Sequence, residues 1–348
     1  MDNQNVPVAV PPLESRTVRH AGRIPVKTLP TPRNGRTARR AGRTLVAASA
    51  LLASLALAAC GNSDPLAAKG SCSGDGITVG SADFPESETV ANVYVEALRA
   101  NGFQVDTKLN IGSREAYVPA VRKCAISVIP DYTGNLLQYL DKRATATGGA
   151  EVTAALQAAL GADLAIGAPA PGQDSDAVVV TRATAQRWNL HSIADLAAHS
   201  AEVKFGAPAE FAERAGGLPG LKKNYGVDVA AANFVQIADG GGPATVRALV
   251  DGQVTAANIF TTSPAIKQND LVVLEDPKHN FAAQNVVPLL NSAKKSDRLL
   301  KVLDATSAKL STDELIKLNE SVSGASKTEP RAAAAAWVSA QGLNKPVG

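Results

Sequence analysis

With 348 residues and a formal net charge of +3, the chain is long enough for two sizeable cores and too evenly charged for a nucleic-acid binder. Arginine or lysine recurs from Arg16 to Arg43 with no acid among them, so the remainder is mildly acidic, and no basic stripe interleaved with aromatics follows Cys60. The four histidines (His20, His191, His199, His279) are scattered, and HExxH, CxxC, Walker A and GxSxG are all absent. No catalytic residue, metal ligand or cofactor is therefore assigned.

The first stretch with a clear reading is Leu45–Ala59, an uncharged apolar run too short to span a bilayer comfortably and suited to a signal h-region. It ends Leu57-Ala58-Ala59-Cys60-Gly61, which matches a bacterial lipoprotein cleavage box, with Cys60 as the lipidated residue. Residues 1–59 are expected to be a signal peptide with a long basic n-region, and 60–75 a lipidated cysteine with a flexible tether. An uncleaved signal anchor is the competing reading, and Arg39-Arg40 raises the twin-arginine route. Export places Cys72 and Cys124 where a disulfide persists. Each precedes an expected strand, so parallel neighbouring strands would bring both sulfurs to one sheet edge. The alternative for Cys124 is a lone nucleophile.

From Ile77 the pattern is β-α-β-α-β-α. A strand at Ile77–Gly80 is followed by a helix with Val90, Val93, Tyr94, Ala97 and Leu98 on one stripe, ended by Asn101-Gly102. A strand over 105–111 precedes a helix to about Lys123. Ile126–Ile129 is an apolar, β-branched run expected to be a doubly buried strand stopped by Pro130. The turn Asp131-Tyr132-Thr133-Gly134 then feeds a helix with Leu136, Leu137, Tyr139 and Leu140, which puts Tyr132 at the carboxyl end of a sheet, where open α/β proteins bind ligands. A helix over Val152–Leu160 and a short strand near Leu164 complete this part.

The Pro/Gly-rich Ala168–Gly172 leads to a strand at Asp176–Thr181 and a second α/β unit: helices near 183–188 and 192–198, strand 203–207, helix 209–215, strand 233–237, helix 243–251 and strand 255–260. Asp239-Gly240-Gly241-Gly242-Pro243 opens one helix with proline in its first turn, as an anion cradle or simply a tight turn. Leu271–Leu274 reads as a further strand, and the last sixty or so residues as mostly helical. The expected architecture is α/β: lobe I from 76–172 and 262–348, lobe II from 173–261, each a mostly parallel sheet flanked by helices, joined by two crossovers that close on a ligand.

Several segments in order carry a resemblance: Ile77-Thr-Val-Gly-Ser-Ala-Asp-Phe-Pro-Glu, Ile129-Pro-Asp-Tyr-Thr-Gly, Phe205-Gly-Ala-Pro-Ala-Glu-Phe-Ala-Glu-Arg-Ala-Gly-Gly, Ala248-Leu-Val-Asp-Gly-Gln-Val and Phe260-Thr-Thr-Ser-Pro. Together they resemble the substrate-binding proteins of osmoprotectant ABC importers, the glycine betaine, choline and carnitine family. The resemblance implies a type II periplasmic-binding-protein fold and a cleft in which aromatic rings hold a quaternary ammonium by cation–π attraction. It implies a ligand set of Phe84, Ser113, Tyr132, Thr133, Asp176, Arg214 and Phe260. Asp176 and Val246 stand where the family usually has two of its four cage tyrosines, and Asp176 is expected beside Arg214. A polyhydroxylated or phenolic guest is the alternative ligand; an enzyme or sensor on the same fold is the rival class. The implied partners are an ABC permease, its ATPase and the membrane through the lipid. The expected setting is the outer face of the cell membrane, with the protein monomeric.

Overall fold

The structure, a computed structural model, describes residue 72 and residues 76–323 and 327–347. The apolar run, Cys60 and most of the tether lie outside the described residues. The first half of lobe I runs β1 (Ile77–Gly80), α1 (Pro85–Ala100), β2 (Val105–Lys108), α2 (Arg114–Arg122), β3 (Val128–Tyr132), α3 (Thr133–Leu140), α4 (Gly149–Ala159) and β4 (Leu164–Ile166). Next come β5 (Asp176–Thr181), α5 (Arg182–Trp188), β6 (Phe205–Ala207), β7 (Phe234–Gln236), α6 (Pro243–Val250), β8 (Ala256–Phe260) and β9 (Leu271–Val273). The chain then returns through β10 (Val286–Asn291) to α7 (Asp297–Ser307), α8 (Thr312–Ser323) and α9 (Pro330–Ala340). The segments expected as helices at 192–198 and 209–215 form 3₁₀ turns at Ile193–His199 and Ala209–Ala212.

Two five-stranded sheets result, ordered β2-β1-β3-β10-β4 and β7-β6-β8-β5-β9. Their pairings divide evenly between parallel and antiparallel, rather than being mostly parallel. The antiparallel ones all involve β5 and β10, the strands by which the chain enters each lobe from the other. Strand β10 was not expected. It pairs with both β3 and β4 and is buried along its whole length, so lobe I closes its sheet with a strand from the return crossing. β9 pairs with β5, so Leu271–Val273 lie in lobe II's sheet, beyond the expected boundary at 262, and the chain rejoins lobe I's sheet at Val286.

Pro130 does not stop its strand. It sits inside β3 opposite Pro288 of β10, and the Pro288 carbonyl accepts from the Gly167 amide on the other side. An antiparallel pair alternates positions with and without ladder bonds. Two facing prolines fit the unbonded kind, because neither has an amide hydrogen to lose. The apolar stripe of α1 is buried as its spacing predicts, with Val90, Val93, Tyr94, Ala97 and Leu98 all at most 1% exposed. The Tyr94 hydroxyl reaches Ser307 of α7 at 2.8 Å, satisfying a phenol whose ionisation burial strongly opposes.

At the start of α3 the return crossing passes against the helix backbone. A Cβ on Gly134 would stand 2.7 Å from the Ala283 carbonyl and 3.0 Å from the Ala282 Cβ. Gly134→Ala is expected to cost roughly 1–3 kcal/mol through overpacking and to lower the thermal midpoint. An unchanged midpoint in thermal denaturation would show that the crossing yields there at no cost.

Candidate functional site

Three segments of lobe I and four of lobe II converge on one cleft. The β1–α1 turn contributes Ala82 and Phe84, the start of α2 contributes Ser113, Arg114 and Tyr117, and the end of β3 contributes Tyr132 and Asn135. Lobe II supplies Asp176, Pro208, Phe211, Arg214, Gly240 and Phe260. The enclosed volume is about 140 Å³. Asp176 and Phe260 are side by side because β5 and β8 pair in that register. Phe84 lies 5.2 Å from Phe260 and 6.0 Å from Tyr132, while Tyr132 and Phe260 face each other at 6.4 Å with planes only 8° apart. Three rings from two lobes thus form one aromatic wall.

The cleft also has a polar part, supported by residues that lie outside it. Arg114 is buried, and its Nε and Nη2 donate to Asp131 Oδ1 at 3.0 and 2.6 Å. The Tyr117 hydroxyl donates to Asp131 Oδ2 at 2.9 Å, and the Tyr132 amide donates to Oδ1 at 2.7 Å. Burial alone would weaken the hold of Arg114 on its proton, but Asp131 outweighs it, so the guanidinium stays charged. The arrangement fixes a cation in the cleft wall with donors to spare.

The expected site residues part ways here. Phe84, Ser113, Tyr132, Asp176, Arg214 and Phe260 all line the cleft, but Thr133 does not. Its buried hydroxyl donates to the Ala283 carbonyl and accepts from the Asn285 amide, so it ties α3 to the return crossing. Nor do Asp176 and Arg214 pair. Asp176 Oδ2 accepts from Asn135 Nδ2 at 2.6 Å, while Arg214 reaches across the lobes to Glu115 at 3.4 Å and back to Glu210 at 3.3 Å. Burial opposes ionisation of Glu115, but the Ser113 hydroxyl and the Arg214 charge help lower it. Tyr132 lines the cleft and is also part of the core, only 5% exposed, where a free-standing cleft residue was expected. Its hydroxyl donates to Glu86 at 2.7 Å, and burial, reinforced by Glu86, drives its ionisation far above the usual range.

Arg114, Tyr117 and Asn135 were missed. The usable signal was Arg114 at the start of a helix directly after Gly112-Ser113, with Tyr117 one turn on the same face. Val246 lines a separate, larger cavity of about 430 Å³ that shares only Phe84, Gly240 and Phe260 with the cleft. The Asp239–Pro243 turn is a tight turn. The Asp239 carboxylate itself accepts from the Ala244 and Thr245 amides and the Thr245 hydroxyl, filling the helix end, while Gly240 and Gly241 take the positive φ values the turn needs.

Behind the rings lies a buried carboxyl pair, Glu86 and Asp174. Glu86 Oε2 accepts from Thr262 Oγ1 at 2.6 Å and Asn319 Nδ2 at 2.5 Å, and Asp174 Oδ1 accepts from the Thr262 amide at 2.9 Å. Burial first, and then the neighbouring Glu86, push the Asp174 carboxyl well above the usual carboxylate range. Among the described residues no cluster of His, Cys, Asp or Glu fits a metal ion.

Residues 75–340 match the family model described as the substrate-binding domain of the ABC-type glycine betaine transport system. The chain belongs to this family. It is the substrate-binding component of an osmoprotectant ABC transporter, of a family and fold that are extracytoplasmic and serve transport rather than catalysis. It is 25% identical over 257 residues to the glycine betaine-binding protein YehZ of Escherichia coli (strain K12), covering 71% of this chain and 84% of that protein. A stretch of 147 residues is 28% identical to the ergothioneine transport permease/ergothioneine binding protein EgtU of Helicobacter pylori (strain G27), covering 42% of this chain and 26% of that longer protein. The fold matches the crystal structure of a glycine betaine/carnitine/choline ABC transporter component with a TM-score of 0.60 and 22% identity, over 77% of this chain and all of that one.

Two outcomes follow from the buried charges. Asp131→Ala leaves Arg114 charged and unpaired in a dry wall and is expected to destabilise by about 3–5 kcal/mol, read by denaturant titration. For Asp174 the sign runs the other way. Its folded-state pKa lies above the unfolded value, so the folded chain holds a proton the unfolded chain has released, and stability falls as pH rises through that interval. Asp174→Asn should therefore melt higher than the parent at neutral pH and lose this part of the pH dependence. A lower midpoint at neutral pH would contradict the assignment.

Proposed function

We propose that the ring-lined cleft captures a quaternary-ammonium osmoprotectant of the glycine betaine or choline kind and presents it to an ABC permease. The observation that carries this reading is the convergence of Phe84, Tyr132 and Phe260 with Asp176 on one cleft. A methylated ammonium has no hydrogen to donate, so ring faces and a nearby carboxylate are the groups that recognise it. The charged Arg114 that also lines the cleft supplies a partner for the carboxylate of a betaine. The nearly parallel Tyr132 and Phe260 rings support a second reading, a flat phenolic or hydroxylated guest hydrogen-bonded to Asp176 and Asn135.

In the same reading the protein is a monomer tethered to the outer face of the membrane through a lipidated Cys60, after removal of residues 1–59. It carries its ligand unchanged, as a binding protein without turnover. A Cys72–Cys124 disulfide staples the amino-terminal edge of lobe I. Support comes from the two Cα atoms, 5.4 Å apart, which lie within the span a disulfide bridges. It would close a loop of 52 residues and add about 2–4 kcal/mol of stability in the chain-entropy picture. Peptide mapping of exported protein without reductant should recover the linked pair; both thiols free would remove the staple.

Calorimetry of the delipidated protein against choline, glycine betaine, carnitine and a panel of phenols and polyols tests the ligand class. Phe260→Ala is expected to weaken a quaternary ammonium about tenfold, the loss of one desolvated cation–π contact. Asp176→Asn should weaken cations more than neutral guests and flatten the salt dependence. Heat from a phenol or polyol and none from any quaternary amine would transfer the assignment to the second reading.

A further inference from the structure

Glu86 and Asp174 meet where the two lobes are joined, and the function proposed above makes no use of them. Glu86 stands in the first turn of α1, in lobe I. Asp174 lies in the outgoing crossing, between β4 and β5, and its amide donates to the Gln284 carbonyl of the return crossing at 3.0 Å. Thr262 belongs to lobe II, between β8 and β9, two residues after the cleft ring Phe260. Its hydroxyl donates to Glu86 Oε2 at 2.6 Å and accepts from Asn319 of α8 at 3.0 Å, while its amide donates to Asp174 Oδ1 at 2.9 Å. One residue of lobe II is thus gripped by lobe I and by the crossing, with all four side chains buried.

Asp174 Oδ2 finds no donor among the described residues, and the carboxyl it neighbours is Glu86. Two ionised carboxylates cannot bond to one another, since neither carries a hydrogen. One proton between them removes the conflict: the protonated carboxyl donates, the other accepts, and a single negative charge stays in the joint. The surroundings leave that balance to the pair. Tyr132 from β3 donates to Glu86 Oε1, and burial keeps it neutral. Beyond it Arg114 is committed to Asp131, and Asp176 of β5 to Asn135. Arg247 and Asp251, on α6 and at its end, are exposed and lie 4.0 Å from each other. Asp83 before α1 is exposed, and Glu88 within it turns to Asn110. The α8, β8–β9 and return-crossing segments bring Asn319, Thr262 and Gln284, which do not titrate. Neither Arg114 nor Arg247 bonds the carboxyl pair.

We propose that Glu86 and Asp174 form a proton-operated catch between the lobes, closed while they share one proton and released when that proton leaves. The released state puts two negative charges side by side in the joint. Their repulsion drives Asp174 and Glu86 apart, Thr262 loses its grip, and Phe260 moves with it out of the aromatic wall. The closed form holds one more proton than the open form. Closure is therefore favoured below the pH at which the pair loses that proton and is lost above it. Burial and the neighbouring Glu86 raise the proton affinity of Asp174, which puts the transition above the usual carboxylate range.

The test is small-angle X-ray scattering of the ligand-free, delipidated protein across a pH series, with circular dichroism recorded on the same samples. The radius of gyration is expected to rise reversibly at pH above the usual carboxylate range while the secondary-structure signal holds. Asp174→Asn keeps the acceptor for the Thr262 amide and carries permanent hydrogens in place of the titrating one, so its radius should stay at the closed value throughout. Glycine betaine and choline do not titrate over this range. Their affinity for the parent is expected to fall with rising pH by up to about tenfold per unit, and for Asp174→Asn to stay level. A constant radius in the parent, an equal rise in both proteins, or a rise that comes only with loss of secondary structure would overturn the proposal. Failure of the cleft reading shows instead as no heat from either ligand at any pH, and leaves the scattering result to decide on the catch.

Discussion

A carboxylate that takes no solvent must be given donors, and Glu86 takes its donors from three distant parts of the chain. Tyr132 comes from the end of β3, Thr262 from the segment after β8, and Asn319 from α8. Glu86 itself stands in the first turn of α1. No one of these four segments can shift without leaving a buried carboxyl short of a donor, which is far costlier than losing a contact between apolar groups. The position of the Tyr132 ring, and through it the aromatic wall of the cleft, depends on this single buried acceptor.

The cleft inherits its rigidity from the same economy of polar atoms. Asp131 spends both oxygens on Arg114, Tyr117 and the Tyr132 amide, so the cation in one wall and the ring in the other share a support. The lobe II contributions are held by sheet register, since pairing Asp176 with Phe260 puts the carboxylate and a ring next to one another without any further contact. Direct contacts across the cleft are Arg214 to Glu115 at 3.4 Å and Asn135 to Asp176 at 2.6 Å, both less buried than the Asp131 network.

Local pattern was enough for much of the architecture. The buried stripe of α1, the strand–turn–helix that puts Tyr132 at the cleft and the two α/β halves were legible because periodicity and turn chemistry act over a few residues, whereas Phe260 as a cleft ring came only from the family resemblance. What tertiary structure alone decided involves partners far apart in sequence. β10, Val286–Asn291, carries a proline at its centre and reads as no strand until Pro130 stands opposite it. Arg114 looks like a surface residue at a helix start until Asp131 and Tyr117 close over it. Asp176 and Arg214 attract on paper, yet Asn135 and Glu115 reach them first. Composition and spacing state which groups a chain has to satisfy; only the fold determines which distant partner satisfies each one, because burial makes that pairing compulsory.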